Sequence, residues 1–367
     1  WITPGAYACL ESWSQLWAPR LHAWRVRHFR SAPAQTVKDR DKAGEPQLKD
    51  PQDLPVKVAS QPLKEAPEGV PLKYWARRRA LWSRWHAGIR MDRESWFSVT
   101  PEAAALRTAR MLGRLSAGAE VTPTSPCIHG FSVLDPFCGC GGNAVQLALQ
   151  CSALDGSGGV VVAGDTCLER LEHAQHNASL YGVSATFVGE PPSAEVSAPC
   201  SDTRLLLVHC NAVDLLLDGA AKVLSLLQAT LSSSSTAAAP PLGAVLLAPP
   251  WGGVAYAAGG PFSLRSIAVS CRGTVLDGAA LVWLAAAAAP RVVLFLPRHV
   301  DAGVVEKELQ EAAPEDARWG AARRTGTAKP SYLANEPLIK WDSLKSKGRC
   351  IGRLLCLDWE GRPFSRE

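Results

Sequence analysis

Residues 132–143 read Ser-Val-Leu-Asp-Pro-Phe-Cys-Gly-Cys-Gly-Gly-Asn, and the fold turns on how this stretch is understood. Val133 and Leu134 belong to a short β-branched and aliphatic run that Asp135 closes, and Gly139, Gly141 and Gly142 follow within a few residues. Glycines there permit backbone angles and close approaches that a Cβ would forbid. Residues 143–151 then read as a helix. A strand, a glycine turn and a helix whose first amides face the turn form a nucleotide-type cradle in an α/β sheet. Taken alone, such a turn is equally a tight strand-to-helix connection, so the partners further along must decide.

Downstream the same grammar repeats. Residues 159–163 form a β-branched strand ending at Asp165, 30 residues after Asp135, and an acid at the end of the second strand commonly holds ribose hydroxyls. Residues 168–181 read as a helix carrying Asn177, 183–201 as a short strand with a proline-rich insertion, and 205–209 as a buried third strand with Asn211 at its end. A helix is expected over 212–231, running into a Ser/Ala/Pro-rich loop. Residues 244–247 make a fourth strand ending in Ala248-Pro249-Pro250-Trp251-Gly252-Gly253, and 291–296 a fifth ending at Pro297 and Arg298. A late strand over 350–357, after the lysine-rich residues 340–349, suggests a final hairpin. Strands alternating with helices make a mostly parallel sheet covered on both faces, with ligands beyond the carboxyl ends of the strands. All the polar signatures fall at those ends, where a purely structural origin would scatter them.

Upstream, residues 1–30 hold four tryptophans among arginines and histidines, with a short amphipathic helix expected over 10–29. That segment reads either as a helix docking by its tryptophans or as a basic-aromatic RNA arm. Residues 31–71 have a linker composition and are expected to be disordered or extended. The character changes at residue 72. Residues 73–93, KYWARRRALWSRWHAGIRMDR, carry seven Lys or Arg against one acid, interleaved with Tyr74, Trp75, Trp82 and Trp85. Charge for phosphates and flat faces for bases suit a single-stranded or capped nucleic acid; a solvated helix packing its tryptophans on the main domain suits the pattern too. A helix over 102–115 follows, with Thr100 as its cap and Pro101 as its first residue.

The 367 residues, 47% hydrophobic and 20% charged, have room for roughly two domains or one large domain with a tail. A net charge of +5 makes the placement of charge more informative than its total. The eleven cysteines form no CxxC pair, which argues against a zinc cluster and for reduced thiols in a cytosolic or nuclear protein. A chain that opens on Trp1 reads as a fragment, from which a targeting segment could have been cut. The alanine-rich residues 276–290 are too short to span a bilayer and suit a packed helix, so no membrane partner is expected.

Taken in order, KYWARRRALWSRWHAGIRMDRESWFSVTPE (73–102), DPFCGCGGN (135–143), NASLYGV (177–183), PPWGG (249–253) and FLPR (295–298) resemble the trimethylguanosine synthase family. These are S-adenosylmethionine-dependent enzymes that methylate the exocyclic amine of 7-methylguanosine RNA caps, and the resemblance covers about residues 73–358. It implies a Rossmann-like class I methyltransferase sheet over 118–360, a helical extension over 72–117 closing over cofactor and cap, and a tail at 361–367. It places S-adenosyl-L-methionine against Trp82, Ser98, Thr100, Pro101, Asp135, Gly139, Asp165 and Asn177. In that arrangement Asp135 attracts the cofactor's ammonium, Asp165 accepts the ribose hydroxyls and Trp82 closes over the ligand. It stacks the methylated base on Trp251, puts Lys73, Tyr256 and Arg298 around the cap triphosphate, and has Pro249 and Pro250 hold the Ala248 carbonyl toward the reacting amine. No metal is needed.

Three departures from the family pattern stand out. Ala248 occupies the place of a serine, Cys167 that of a second acid, and Asn211 is the nearest polar substitute for an acidic adenine contact. The insertions at 184–203 and 232–241 have no family counterpart. The resemblance further implies capped small nuclear and small nucleolar RNAs as substrates, ribonucleoprotein proteins as partners, a monomer, and a place in the nucleus (nucleolus or Cajal body) and also the cytoplasm. Two other readings remain open at this point, another RNA base amine methyltransferase and a cap-binding protein that no longer catalyses.

Overall fold

The structure, a computed structural model, describes residues 66–116, 132–151, 159–188, 203–219, 224, 241–251, 262–271, 273–313, 331–346 and 349–360. The expectations for 1–30, for nearly all of 31–71 and for the tail therefore lie outside the described residues. Residues 67–367 form one compact unit.

The extension consists of α1 (Leu72–Trp75), α2 (Arg78–Leu81), α3 (Ser95–Ser98) and α4 (Glu102–Ser116). Helix α4 begins one residue later than the sequence suggests. The Pro101 carbonyl accepts from Ala104 and Ala105 (2.8 and 3.1 Å), which puts Pro101 in the flanking position and not inside the helix. The glycine turn then links β1 (Ser132–Asp135) to α5 (Gly142–Gln150), β2 (Val161–Asp165) leads to α6 (Leu168–Leu180), and β3 (Ser184–Phe187) and β4 (Thr203–His209) follow. The helix expected over 212–231 is a three-residue α7 (Ala212–Asp214) continued by a wider π turn, Leu215–Gly219. Of residues 220–231, only Leu224 is described, and it is helical. Strand β5 (Leu242–Leu247), the hairpin β6 (Ala268–Cys271) and β7 (Thr274–Asp277), α8 (Gly278–Ala288), β8 (Arg291–Leu296), α9 (Ala302–Ala312), β9 (Leu338–Ser346) and β10 (Arg349–Asp358) complete the described elements.

Eight strands make one sheet in the order β3-β4-β2-β1-β5-β8-β10-β9. Strands β3, β4, β2, β1, β5 and β8 run parallel, and β10 and β9 form the expected final hairpin, antiparallel to β8. The central strands read as unbroken apolar runs because both faces are covered: every residue of Arg291–Leu296 is buried. The chain order reverses at β1, whose neighbours are β2 on one side and β5 on the other, and this opens a crevice outside the carboxyl ends. The register puts Asp135 opposite Ala163 and Asp165 opposite His209, so the acids at the ends of β1 and β2 emerge at one edge.

Close packing accounts for the small residues between these layers. A Cβ on Gly164 would lie 2.2 Å from Leu215 Cδ1, so only glycine lets the π turn rest on β2. Helix α8 is the packed alanine-rich helix expected from the sequence, started by Asp277, whose carboxylate accepts from the Ala280 amide at 2.8 Å. At the amino end of β8, Arg291 and Asp358, both buried, face each other at 3.7 Å, with Glu360 also on the guanidinium.

Candidate active site

Four backbone bonds shape the turn after β1. The Cys138 amide donates to the Gly164 carbonyl (2.9 Å), Gly141 to the Cys138 carbonyl (2.9 Å), and Gly139 to Asp165 Oδ2 (3.0 Å); Cys167 donates to the other oxygen, Oδ1, at 2.9 Å. Asp165 thus pins the glycine turn while each of its oxygens keeps a lone pair for a further donor. Gly139 has φ +53°, and a Cβ there would meet no atom within 4 Å, so its outer side faces open space. Gly142 is the opposite case, because its Cβ would lie 2.7 Å from Val99 Cγ2 of the extension.

Beneath this turn, Asp135 is fully buried. Its Oδ1 accepts from the Phe137 amide at 3.3 Å and its Oδ2 has no partner. Burial pushes its carboxyl up to about 7, and the nearby Asp165 charge adds to the rise against the lowering effect of the Phe137 bond. A buried carboxylate oxygen without a donor is costly unless a ligand supplies one. A cationic group with N–H donors at this point would remove both penalties, and the open space over Gly139 leaves room for its carrier. These residues fit an amino-acid-bearing nucleoside cofactor on an observation of their own.

One face of α6 binds the extension to this turn. Asn177, fully buried, donates to the carbonyls of Arg90 (2.8 Å) and Cys140 (3.0 Å) and accepts from the Arg90 amide (2.9 Å). Both of its N–H bonds are therefore used inside the protein, where they brace the glycine turn against the extension. Arg170, two turns earlier, donates to Asp92 (2.9 Å) and to Glu94, and one turn past Asn177 the Tyr181 hydroxyl donates to Glu102 (2.7 Å), which also accepts from Ser83. Trp82 is 1% exposed, with its indole N–H on the Met91 sulfur (3.3 Å) and its ring 5.9 Å from Tyr181. These contacts tie the Trp82 ring to α6 and to the segment around Met91. Thr100 and Pro101 are buried beside Val99, whereas Ser98 is exposed and donates to the Glu94 carbonyl (3.1 Å).

On the β5 side, Ala248 is half-buried, Pro249 buried and Pro250 exposed. Trp251 is half-buried, donates its indole N–H to the Phe295 carbonyl (3.1 Å) and has its ring 5.0 Å from that of Phe295. The pairing of Leu247 with Leu294 is what brings the two together. Arg298 is exposed and donates to His299 (2.7 Å), and Lys73 is exposed with its ammonium 5.2 Å from the centre of the Tyr74 ring. Asn211 caps α7, accepting from Val213 (2.9 Å) and donating to the Ser270 carbonyl (2.8 Å), which leaves one N–H for the adenine contact expected of it. Tyr256 lies outside the described residues. Residues that the sequence did not single out for the site, Arg170, Tyr181 and Glu102, prove to hold it in place. Their only linear trace is the spacing of Asn177 and Tyr181, one helical turn apart.

Six parallel strands, an antiparallel hairpin on the far edge, a glycine turn after the first strand and acids closing the first two define a class I S-adenosylmethionine-dependent methyltransferase. Residues 131–321 match the RNA cap guanine-N2 methyltransferase family, and the chain belongs to that family. It is 26% identical over 229 residues to trimethylguanosine synthase of Schizosaccharomyces pombe, covering 62% of this chain and 71% of that protein. To trimethylguanosine synthase of Saccharomyces cerevisiae it is 36% identical over 126 residues, 34% of this chain and 33% of that one. Among solved structures, it is similar to human methyltransferase 10 domain containing protein (13% identity, TM-score 0.41, covering 79% of this chain and 98% of that one). It is also similar to an O-methyltransferase from Bacillus cereus in complex with SAH (11%, TM-score 0.34, covering 76% and 89%).

Proposed function

We propose that this chain methylates the exocyclic N2 amine of 7-methylguanosine caps on small nuclear and small nucleolar RNAs, giving 2,7-dimethyl- or 2,2,7-trimethylguanosine, and that it works in the nucleus. The observation that carries the cofactor half of this reading is the partnerless Oδ2 of Asp135 beneath the open glycine turn. S-adenosylmethionine, when bound, supplies a methyl group already activated on a sulfonium. The chain's own residues bind, orient and exclude water. Asp135 takes the ammonium, Asp165 the ribose hydroxyls, and the amides around Gly139 leave room for the rest of the cofactor.

Trp251 receives the base. A 7-methylguanine is a flat cation, and stacking on an indole adds about 0.5 to 2 kcal/mol of cation–π attraction to the area buried. Because the indole N–H is already tied to the Phe295 carbonyl, the ring plane is set before the base arrives. The Ala248 carbonyl, held by Pro249 and Pro250, accepts a hydrogen bond from the amine and aims its lone pair at the methyl. Residues 248–251 carry no ionisable side chain, so their part is to orient the amine and not to take its proton. Lys73, Tyr256 and Arg298 pair with the triphosphate, where permanent charge matches phosphate oxygens.

The test is incubation with labelled S-adenosylmethionine and RNA carrying either a 7-methylguanosine or an unmethylated guanosine cap, followed by nucleoside analysis. Label in N2-methylated 7-methylguanosine from the first RNA alone is the expected result. Label in internal guanosines would move the activity to another RNA base.

A further inference from the structure

The basic segment of the extension sorts much of its aromatic surface inward and three of its cations outward. Its aromatic rings turn inward: Trp75 and Trp96 are buried, Trp85 meets both at 5.5 and 5.2 Å, and Tyr74 stands edge-on to Phe97 at 4.7 Å. Trp75 and Trp96 have no flat face left over for a base, while Trp85, Tyr74 and Phe97 are half-buried against their neighbours. The cations turn outward. Lys73, Arg77 and Arg79 are exposed, while Arg78 folds back onto the Trp75 carbonyl (3.0 Å) and ring.

Nothing on the segment neutralises them. Residues 69–91 contain six Lys or Arg and no acid. The next two acids, Asp92 and Glu94, are both held by Arg170 of α6. Ala76 (φ −58°, ψ −26°) and Arg77 (φ −92°, ψ −2°) stay in the right-handed helical region between α1 and α2. Arg77 therefore lies one turn beyond Lys73, about 6 Å along the axis at ~1.5 Å per residue. If Lys73 meets the cap triphosphate, Arg77 carries the charge one turn further, and Arg79, about 200° round the helix from Arg77, carries it to the other flank of the segment.

We infer that Arg77 and Arg79 form a sequence-independent binding track for the phosphates of the RNA that follows the cap. The inference rests on the cap-methylation reading and adds to it a second, electrostatic contact with the substrate body. Exposed guanidinium groups pair with phosphate and not with base identity, so the track should be indifferent to sequence and sensitive to salt.

The experiment compares two substrates, a 7-methylguanosine cap dinucleotide and a capped single-stranded 12-mer, on the wild type and on the R77E/R79E double variant. The two side chains are exposed and make no ion pair among the described residues, so the fold should survive; R77Q/R79Q serves as the milder control. The wild type should show a higher kcat/KM for the 12-mer at low salt. In R77Q/R79Q the salt slope of log kcat/KM for the 12-mer should fall by about 1.4, at ~0.7 per phosphate contact on a single strand. In R77E/R79E the preference for the 12-mer should vanish while the dinucleotide rate stays at the wild-type value. Equal kcat/KM for the two substrates in the wild type, or a preference that survives charge reversal, overturns the track and leaves cap methylation standing. Failure of both substrates brings down the cap-methylation reading, and the track with it.

Discussion

The Asn177 amide donates to the Cys140 carbonyl at 3.0 Å, joining a helix after the second strand to the glycine turn after the first. The same nitrogen donates to Arg90 of the extension at 2.8 Å. One buried side chain therefore ties three segments that are far apart in sequence, and Asn177 is a positioning residue for the cofactor cradle.

Asn177→Ala leaves the Arg90 and Cys140 backbone groups without this partner, at about 1 to 3 kcal/mol for each buried group left unpaired. The expected outcome is a lower Tm together with a raised KM for S-adenosylmethionine and a nearly unchanged kcat at saturation. A fall in Tm with KM unmoved, measured on the same preparation, would make Asn177 a packing residue only.

Asp135 links cofactor affinity to pH. Its carboxyl titrates near 7 in the fold against 3.8 as the reference, and a cationic ligand favours the ionised form. Affinity should thus rise between pH 6 and pH 8, with proton release at the acid end, readable by calorimetry in buffers of different ionisation enthalpy. For the ligand-free protein the sign is opposite. A raised carboxyl stabilises the fold below its unfolded value, and that contribution is lost as pH climbs through about 7. Asp135→Asn should abolish cofactor binding, and its Tm relative to the wild type should be more favourable at pH 8 than at pH 5.

Asp165→Ala removes the acceptor that pins Gly139 and Cys167 as well as the proposed ribose contact. At about 1.5 to 3 kcal/mol per charged hydrogen bond, cofactor binding should drop below detection in a protein whose circular dichroism is native. Unaltered affinity would take Asp165 out of the site.

Trp251→Phe should retain partial activity because a smaller ring still stacks, and Trp251→Ala should lose nearly all of it with cofactor affinity preserved. Removing the 7-methyl group from the cap should have a similar effect on turnover, since it removes the cation and leaves the amine edge unchanged. Comparable rates for Trp251→Ala would sink the stacking role.

The buried pair at the other end of β8 supplies a contrast. Arg291→Ala leaves Asp358 buried without its guanidinium, which costs about 3 to 5 kcal/mol. Chemical denaturation should register that loss while cofactor affinity in the remaining folded protein is unchanged. A loss of affinity would mean that the two ends of the strand are coupled.

Much of the molecule was legible in linear form. The strand runs at 132–135, 161–165, 242–247 and 291–296 are continuous apolar stretches closed by Asp, Ala-Pro-Pro or Pro-Arg, because a strand covered on both faces must be apolar throughout and then stop. The motifs at 135–143 and 249–253 were readable for the same reason: each is local, and its chemistry depends on residues within one turn. The widening of the helix after Asn211 into a π turn was not legible, because it occurs where Leu215 rests on Gly164 of β2, a contact between segments far apart in sequence.

The sequence by itself determined the strand-and-helix alternation, the class of the fold, the family, and the acids at the ends of β1 and β2. Only the tertiary structure decided which partners Asn177, Trp82 and the aromatic residues of the arginine-rich segment take inside the protein. For each of these the residue type is compatible with a ligand contact, but hydrogen-bonding capacity is finite. Once the backbone of Arg90 and Cys140 takes the N–H bonds of Asn177, and Met91 takes that of Trp82, those donors are no longer available to a ligand. The rings around Trp75 satisfy one another in the same way, and the charge that remains outside them is what the extension presents to solvent.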